Sequence, residues 1–129
     1  MIMVHESKGI PAISLVSLKT VESLRLVMEA SPYPLHFELS YEMTRPLLDS
    51  MREMILGSVV SIHAACPNTE YFPNLASNDP HVLQQSLIDL HASLDTANSF
   101  EAQVMVLHPG YATNQAVPSH NGRRQELLT

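Results

Sequence analysis

The sequence predicts an α/β fold of strand–helix repeats, with about four parallel strands and three to four helices. Three observations lead there. Short runs rich in Val, Ile and Leu alternate with longer segments of helical periodicity. Proline, glycine and capping residues fall at the junctions between them. The segments joining successive strands are long enough to force parallel pairing.

Met1 to Val4 is a short apolar entry segment. The first strand is read at Ala12 to Ser17, AISLVS, and passes into a helix over about Leu18 to Ala30 with Val21, Leu24, Val27 and Met28 on one face. Ser31-Pro32-Tyr33-Pro34 stops that helix, because each proline lacks a donor and restricts the residue before it. The second strand, Leu35 to Ser40, places Leu35, Phe37 and Leu39 on one face and His36, Glu38 and Ser40 on the other. Thr44 is the expected N-cap of the next helix, with Pro46 in its first turn, a stripe of Leu47, Leu48, Met51 and Ile55, and Gly57 as terminator. Val59 to Ala64 is the third strand. Cys66 to Asp79 comes next without a periodic signal, and loops of this length in a compact domain often belong to a site.

Asp79-Pro80 opens the strongest helical pattern, where Leu83, Leu87, Leu90, Leu94 and Ala97 recur at spacings of four, three, four and three. Gln103 to Leu107 is the fourth strand, ended by His108-Pro109-Gly110. A polar loop runs from Tyr111 to Gly122, and Arg123 to Leu128 has the pattern of a fourth helix beginning. Two architectures accommodate this order: an open doubly wound sheet, or half of an eight-stranded barrel. The first strand–helix turn, Ser17-Leu18-Lys19-Thr20, has no glycine-rich loop, so no dinucleotide fingerprint or P-loop is present.

Composition narrows the function classes. The chain has 129 residues, 45% hydrophobic and 16% charged, in keeping with one covered α/β domain rather than a disordered chain. Thirteen acids against seven Lys and Arg leave a formal charge of −6, which gives no general attraction for nucleic acid or an anionic membrane. Arg123-Arg124 is a single basic pair. No run approaches the apolar length of a membrane helix. Cys66 is the only cysteine, and His5, Glu6 and Lys8 interrupt the start of the chain where a signal peptide would be apolar. Both point to the reducing cytoplasm.

The residues with chemistry cluster at strand ends. His63 shares parity with Ser61, away from Val60 and Ile62. His108, sharing parity with Val104 and Val106, ends the adjacent strand before a rigid Pro-Gly turn. Histidines at the C-terminal ends of parallel strands stand at the functional face of either architecture. Two imidazoles there suit Zn²⁺, Mn²⁺ or Fe²⁺, although zinc usually takes three or four protein ligands. Either ring serves equally as a partly buried structural group. Glu38 on the inward side must be paired or hydrogen-bonded; it is placed to accept from a histidine nitrogen, hold a sugar hydroxyl or simply satisfy backbone N–H groups. Asn74, after Pro73, either clamps backbone across the long loop or reaches a polyol. Tyr71 and Phe72 cover a substrate ring or simply close the mouth of the fold. Cys66 reads as a quiet buried thiol, His36 as structural, and His81 and His91 as surface residues off the leucine stripe. His5 and His120 carry no spacing signal.

FEL of the second strand, SIHA of the third, NLAS of the long loop and VLHPG of the fourth, in this order, resemble the xylose-isomerase-like TIM-barrel superfamily. It includes sugar-phosphate isomerases and epimerases and the endonuclease IV repair enzymes. The resemblance covers Ala12 to Gly110 and implies that residues 1–129 are the N-terminal half of such a barrel. It implies a small sugar or sugar phosphate as ligand and a divalent metal (Mn, Zn or Mg) in the full-length enzyme. Glu38, His63, Asn74 and His108 would then line the substrate pocket. In the endonuclease IV branch, His63 and His108 correspond to metal ligands, so a fragment of an abasic-site nuclease is the alternative enzyme. Most ligands and the acid–base carboxylates of either branch come from later strands with no counterpart here, so no catalytic residue is assigned and the half is expected to be inactive alone. Without catalysis the chain reads as a structural or oligomeric α/β module. Four strands cut from a barrel leave two edges open, which also allows a homodimer that closes the barrel.

Overall fold

Each helix begins where a side-chain oxygen satisfies backbone donors of its first turn. The computed structural model describes residues 9–119. In chain order the elements are β1 (Ala12–Ser14), α1 (Val21–Ala30), β2 (His36–Leu39), α2 (Arg45–Ile55), β3 (Val59–His63), β4 (Tyr71–Phe72), α3 (Pro80–Ser99), β5 (Val104–Val106) and β6 (Val117–Pro118). Thr44 caps α2 through the Leu47 N–H, and Asp79 caps α3 through the His81 N–H. Helix α1 starts three residues later than its hydrophobic pattern suggests. Thr20 and Ser23 form a reciprocal capping box there, which fixes the first turn at Val21; β1 ends at Ser14, so Leu15 to Thr20 is the connection. Gly57 comes after α2 with φ of 86°, a left-handed backbone suited to glycine. The entry segment Met1 to Val4, His5, His120, the Arg123-Arg124 pair and the expected fourth helix lie outside the described residues.

Strands β1, β2, β3 and β5 pair in parallel and in that order. A doubly wound sheet reverses direction at a switch point; this sheet steps the same way at every crossover. Right-handed crossovers that always advance in one direction put the helices on one face. The result is an incomplete barrel of TIM-barrel-like topology, with four parallel strands and three helices among the described residues.

The two faces differ as the alternation in β2 predicts. Phe37 and Leu39 are buried and join Ile62 of β3, Leu24 of α1, Leu48, Met51 and Ile55 of α2, and Ala97 beside Phe100 in one core. His36 and Glu38 take the other face. Between β2 and β3 the register runs Phe37↔Val59, then Glu38↔Ser61, so Val60 is an extra residue in β3. This bulge lets Val59 and Ile62 both reach the core while Ser61 and His63 turn to the opposite face. Ser14, Glu38, Ser61 and Val104 then lie opposite one another as a row across the four strands.

The leucine stripe of α3 is only partly its buried face. Leu90 and Ala97 are buried, whereas Leu87 and Leu94 are exposed. Ser86, Ser93 and Thr96 take the buried positions. The long loop explains the change. It leaves β3 through cis peptides at Ala64–Ala65 and Cys66–Pro67 and lies across this helix. Its N–H groups need acceptors there: Cys66 N donates to Ser93 Oγ at 3.0 Å and Asn74 N to Ser86 Oγ at 2.7 Å. The loop is also less irregular than its sequence. Tyr71–Phe72 pairs antiparallel with Val117–Pro118 of the second polar loop, reinforced by Ser119 N–H to Glu70 O at 2.9 Å. Two-residue strands carry no readable period.

Removing either helix hydroxyl strands a buried N–H, so Ser86→Ala and Ser93→Ala are each expected to lower stability by about 1–3 kcal/mol. Urea unfolding followed by circular dichroism measures it. Burial pushes the Cys66 thiol up to about 12, with only a partial offset from Arg45. The folded state therefore holds a proton that the unfolded chain releases near the ordinary thiol value of 9.0, so this contribution to stability is complete below that pH and declines as pH rises above it. A thiol reagent applied to the folded protein near neutral pH is expected to leave Cys66 unmodified, and to react once denaturant is added.

Candidate functional site

The parallel sheet delivers its strand ends to one rim, and there the polar face gathers its rings. Glu38 and Ser61 are opposite each other, and Ser61 Oγ donates to Glu38 Oε2 at 2.9 Å. One repeat further along β3, His63 Nδ1 stands 4.0 Å from Glu38 Oε1, too long for a hydrogen bond. The other ring nitrogen, Nε2, is buried and has no hydrogen-bond partner.

Four rings continue from His63. His108 stacks with it at 5.3 Å between centroids and 23° between planes. Tyr41 meets it edge-on at 5.1 Å. Phe72 lies 6.2 Å from Tyr41 and stacks on Tyr111 at 6.0 Å. These five rings, with Leu107, line a cleft of about 410 Å³. Burial, and secondarily the nearby Tyr41 phenol, raises the Tyr111 phenol above its ordinary range, so it keeps its proton as a hydrogen-bond donor.

The structure brings Glu38, His63 and His108 together. Asn74 stands behind them with a different set of partners. Fully buried, its Oδ1 accepts from the N–H groups of Ala76 at 3.1 Å and Tyr111 at 3.0 Å, while its Nδ2 donates to Thr113 O at 2.7 Å. Of the two roles open to this amide, the clamp is the one its contacts describe. Gly110 makes the clamp possible. A Cβ there would fall within contact distance of Asn74 Oδ1, 2.8 Å from Ala76 Cβ and 2.9 Å from Ala76 N. Phe72 lines the cleft, whereas Tyr71, of opposite strand parity, borders a groove with His81 and Gln85. His36 lies toward the other end of the sheet, near Val60 and Gln103, and His81 and His91 are exposed on α3. Tyr41 and Tyr111 escaped the sequence reading. Their positions held a usable signal: each directly succeeds a strand end or turn already marked by Ser40 or His108-Pro109-Gly110.

A divalent ion needs more than this rim supplies. Two imidazoles fall short of the three or four protein ligands of a zinc site, and among the described residues no group of three or more His, Cys, Asp or Glu is arranged to hold a metal ion. Glu38 is engaged with Ser61 and faces His63 Nδ1. The residues present do not form a coordination set, and no chemical step is assigned to a metal here. Among the described residues, no helix is long and apolar enough to cross a membrane.

No family model, curated protein or solved structure matches the chain.

The clamp is testable through stability. Asn74→Ala removes the buried amide and the three hydrogen bonds it makes to the Ala76 and Tyr111 N–H groups and the Thr113 carbonyl, with an expected loss of about 2–5 kcal/mol. Gly110→Ala forces the same contact apart, with an expected loss of about 1–3 kcal/mol. Because both act on one contact, the double variant should lose less than the sum of the singles, as measured in a double-mutant cycle by thermal or urea unfolding.

Proposed function

We propose that the chain forms the substrate-binding half of a sugar or sugar-phosphate isomerase or epimerase working in the cytoplasm. The observation that carries this reading is the buried, unpartnered Nε2 of His63 in the wall of an aromatic cleft. A buried polar atom without a partner is costly, and a ligand hydroxyl entering the cleft would relieve it. A sugar ring has C–H-rich faces as well as hydroxyl edges. Tyr41, Phe72 and Tyr111 offer surfaces for the faces, while His63 Nε2, with Nδ1 directed at Glu38, offers an acceptor for a hydroxyl. His108 extends the rim over the same ligand. The resemblance of FEL, SIHA, NLAS and VLHPG to sugar-phosphate isomerases points to the same ligand class.

Isomerisation and epimerisation move a proton on a carbon next to a carbonyl, which requires a base and stabilisation of the developing oxyanion. This half holds and orients the sugar. The groups that move the proton, and a Mn, Zn or Mg ion if one is used, come from outside this chain.

Titration of the isotope-labelled chain with aldoses, ketoses and their phosphates, followed by NMR, is expected to shift the ring signals of His63, Tyr41 and Tyr111. The substitution His63→Phe keeps a flat ring but removes Nε2, and binding is expected to weaken about tenfold, the equivalent of one good hydrogen bond. The unmodified chain is expected to show no ketose–aldose interconversion with Mn²⁺ present. Absence of sugar binding would leave a structural α/β module. Turnover by the isolated chain would overturn the half-pocket reading, and cleavage of abasic duplex DNA would replace a sugar isomerase with a nuclease.

A further inference from the structure

Among the described residues, the row across the polar face begins at Ser14 on one open edge and stops at Val104 on the other. Beyond β5 the surface is apolar. Val104 and Val106 are 56% and 41% exposed, and Leu107 continues the run. Helix α3 contributes to the same side. Its Thr96 is buried and its Ser99 receives two hydrogen bonds from Arg52 of α2, at 3.0 Å to O and 3.2 Å to Oγ, so that flank lies beside α2. At about 100° per residue, Leu87 and Leu94 occupy the other flank, beyond β5, where they are exposed. An open parallel edge with apolar side chains both on the strand and on its covering helix is an interaction surface rather than a solvated one.

We infer that this surface is covered by a second copy of the chain, which closes an eight-stranded barrel about a two-fold axis. Three features select that occupant. The sheet steps in one direction and has four strands, half of the smallest parallel barrel whose interior side chains can fill. A two-fold rotation along the strand direction preserves strand polarity, so β5 of each copy meets β1 of the other in parallel, and both open edges are used at once. Apolar side chains also border both edges that this rotation joins: Val104, Val106 and Leu107 at β5, and exposed Ile10 just before β1. In the closed form Val104 and Val106 become interior residues, on the same inward face as Glu38 and Ser61. Two copies of His63 and His108 then share one rim, which completes an enclosure that a single copy leaves open. The inference concerns assembly alone and does not depend on which ligand the cleft takes.

Sedimentation equilibrium of the full chain across the micromolar range tests it. The expected result is a discrete species of twice the 14.3 kDa chain mass, with no larger assemblies. The double substitution V104K and V106K changes side chains that are exposed in one copy, so the far-ultraviolet circular dichroism should be unchanged while dimer dissociation becomes at least about 100-fold easier. Leu56, exposed at the end of α2 away from both edges, supplies the control: Leu56→Lys should leave the dimer intact. A monomer throughout the range, open-ended growth with concentration, or a dimer that survives the V104K and V106K substitutions would each overturn the inference.

Discussion

The buried amide of Asn74 is the contact to which the rest of the rim is referenced. It sits in the loop after β3, and both ends of its amide engage backbone beyond β5. Two loops that would otherwise be independent are thereby held as one layer. Phe72 comes two residues before Asn74, and Tyr111 donates its own N–H to the amide, so the stacked pair that walls the cleft is positioned by one side chain. Leu75 N–H to Pro109 O at 3.0 Å and the β4–β6 pairing bind the same two loops on either side. His108 is carried on the Pro-Gly turn so anchored. The ring geometry of the site therefore depends on a satisfied polar group in the interior.

A second constraint acts from beneath. A loop that crosses a helix buries backbone N–H groups, and an all-leucine helix face cannot accept from them. Ser86 and Ser93 stand seven residues apart on α3, two turns, and each receives one N–H from the loop. Each hydroxyl in turn donates to the carbonyl four residues earlier, so its own proton is also satisfied. Leucine is displaced to the flanks, where Leu87 and Leu94 remain exposed. The helix serves the loop on one face and leaves an apolar border on another.

These two constraints mark the line between the features legible in the sequence and those that are not. The strand–helix order, the Thr44 and Asp79 caps and the split faces of β2 depend on local chemistry, and each is found where the residues place it. Parity alone sends Glu38, Ser61 and His63 to one face, although the bulge at Val60 that keeps this phase is visible only in the register. The choice between a reversing and a singly wound sheet is a property of strand order, which periodicity does not encode. Which face of α3 is buried depends on a loop partner distant in sequence, so the strongest leucine pattern in the chain marks only part of the buried face. Tyr41 and Tyr111 are site residues for a similar reason: they are marked only by where the neighbouring strands end.

The rim is rigid before it is complete. Glu38 is held by Ser61 and faces His63, and His63 is packed between Tyr41 and His108, so the ring's orientation needs no ligand to set it. Preorganisation of this kind removes an entropic cost from binding. It also leaves Nε2 buried without a partner, an unfavourable state for a polar atom in the wall of the cleft. The exposed Val104 and Val106 point the same way, since apolar side chains are unfavourable while the sheet stays open and favourable within a closed lumen. The unsatisfied nitrogen asks for a small polar ligand and the unsatisfied edge for more sheet. Both deficits lie on the side of the sheet that the helices do not cover, so closing the barrel would enclose the site that the rings have already shaped.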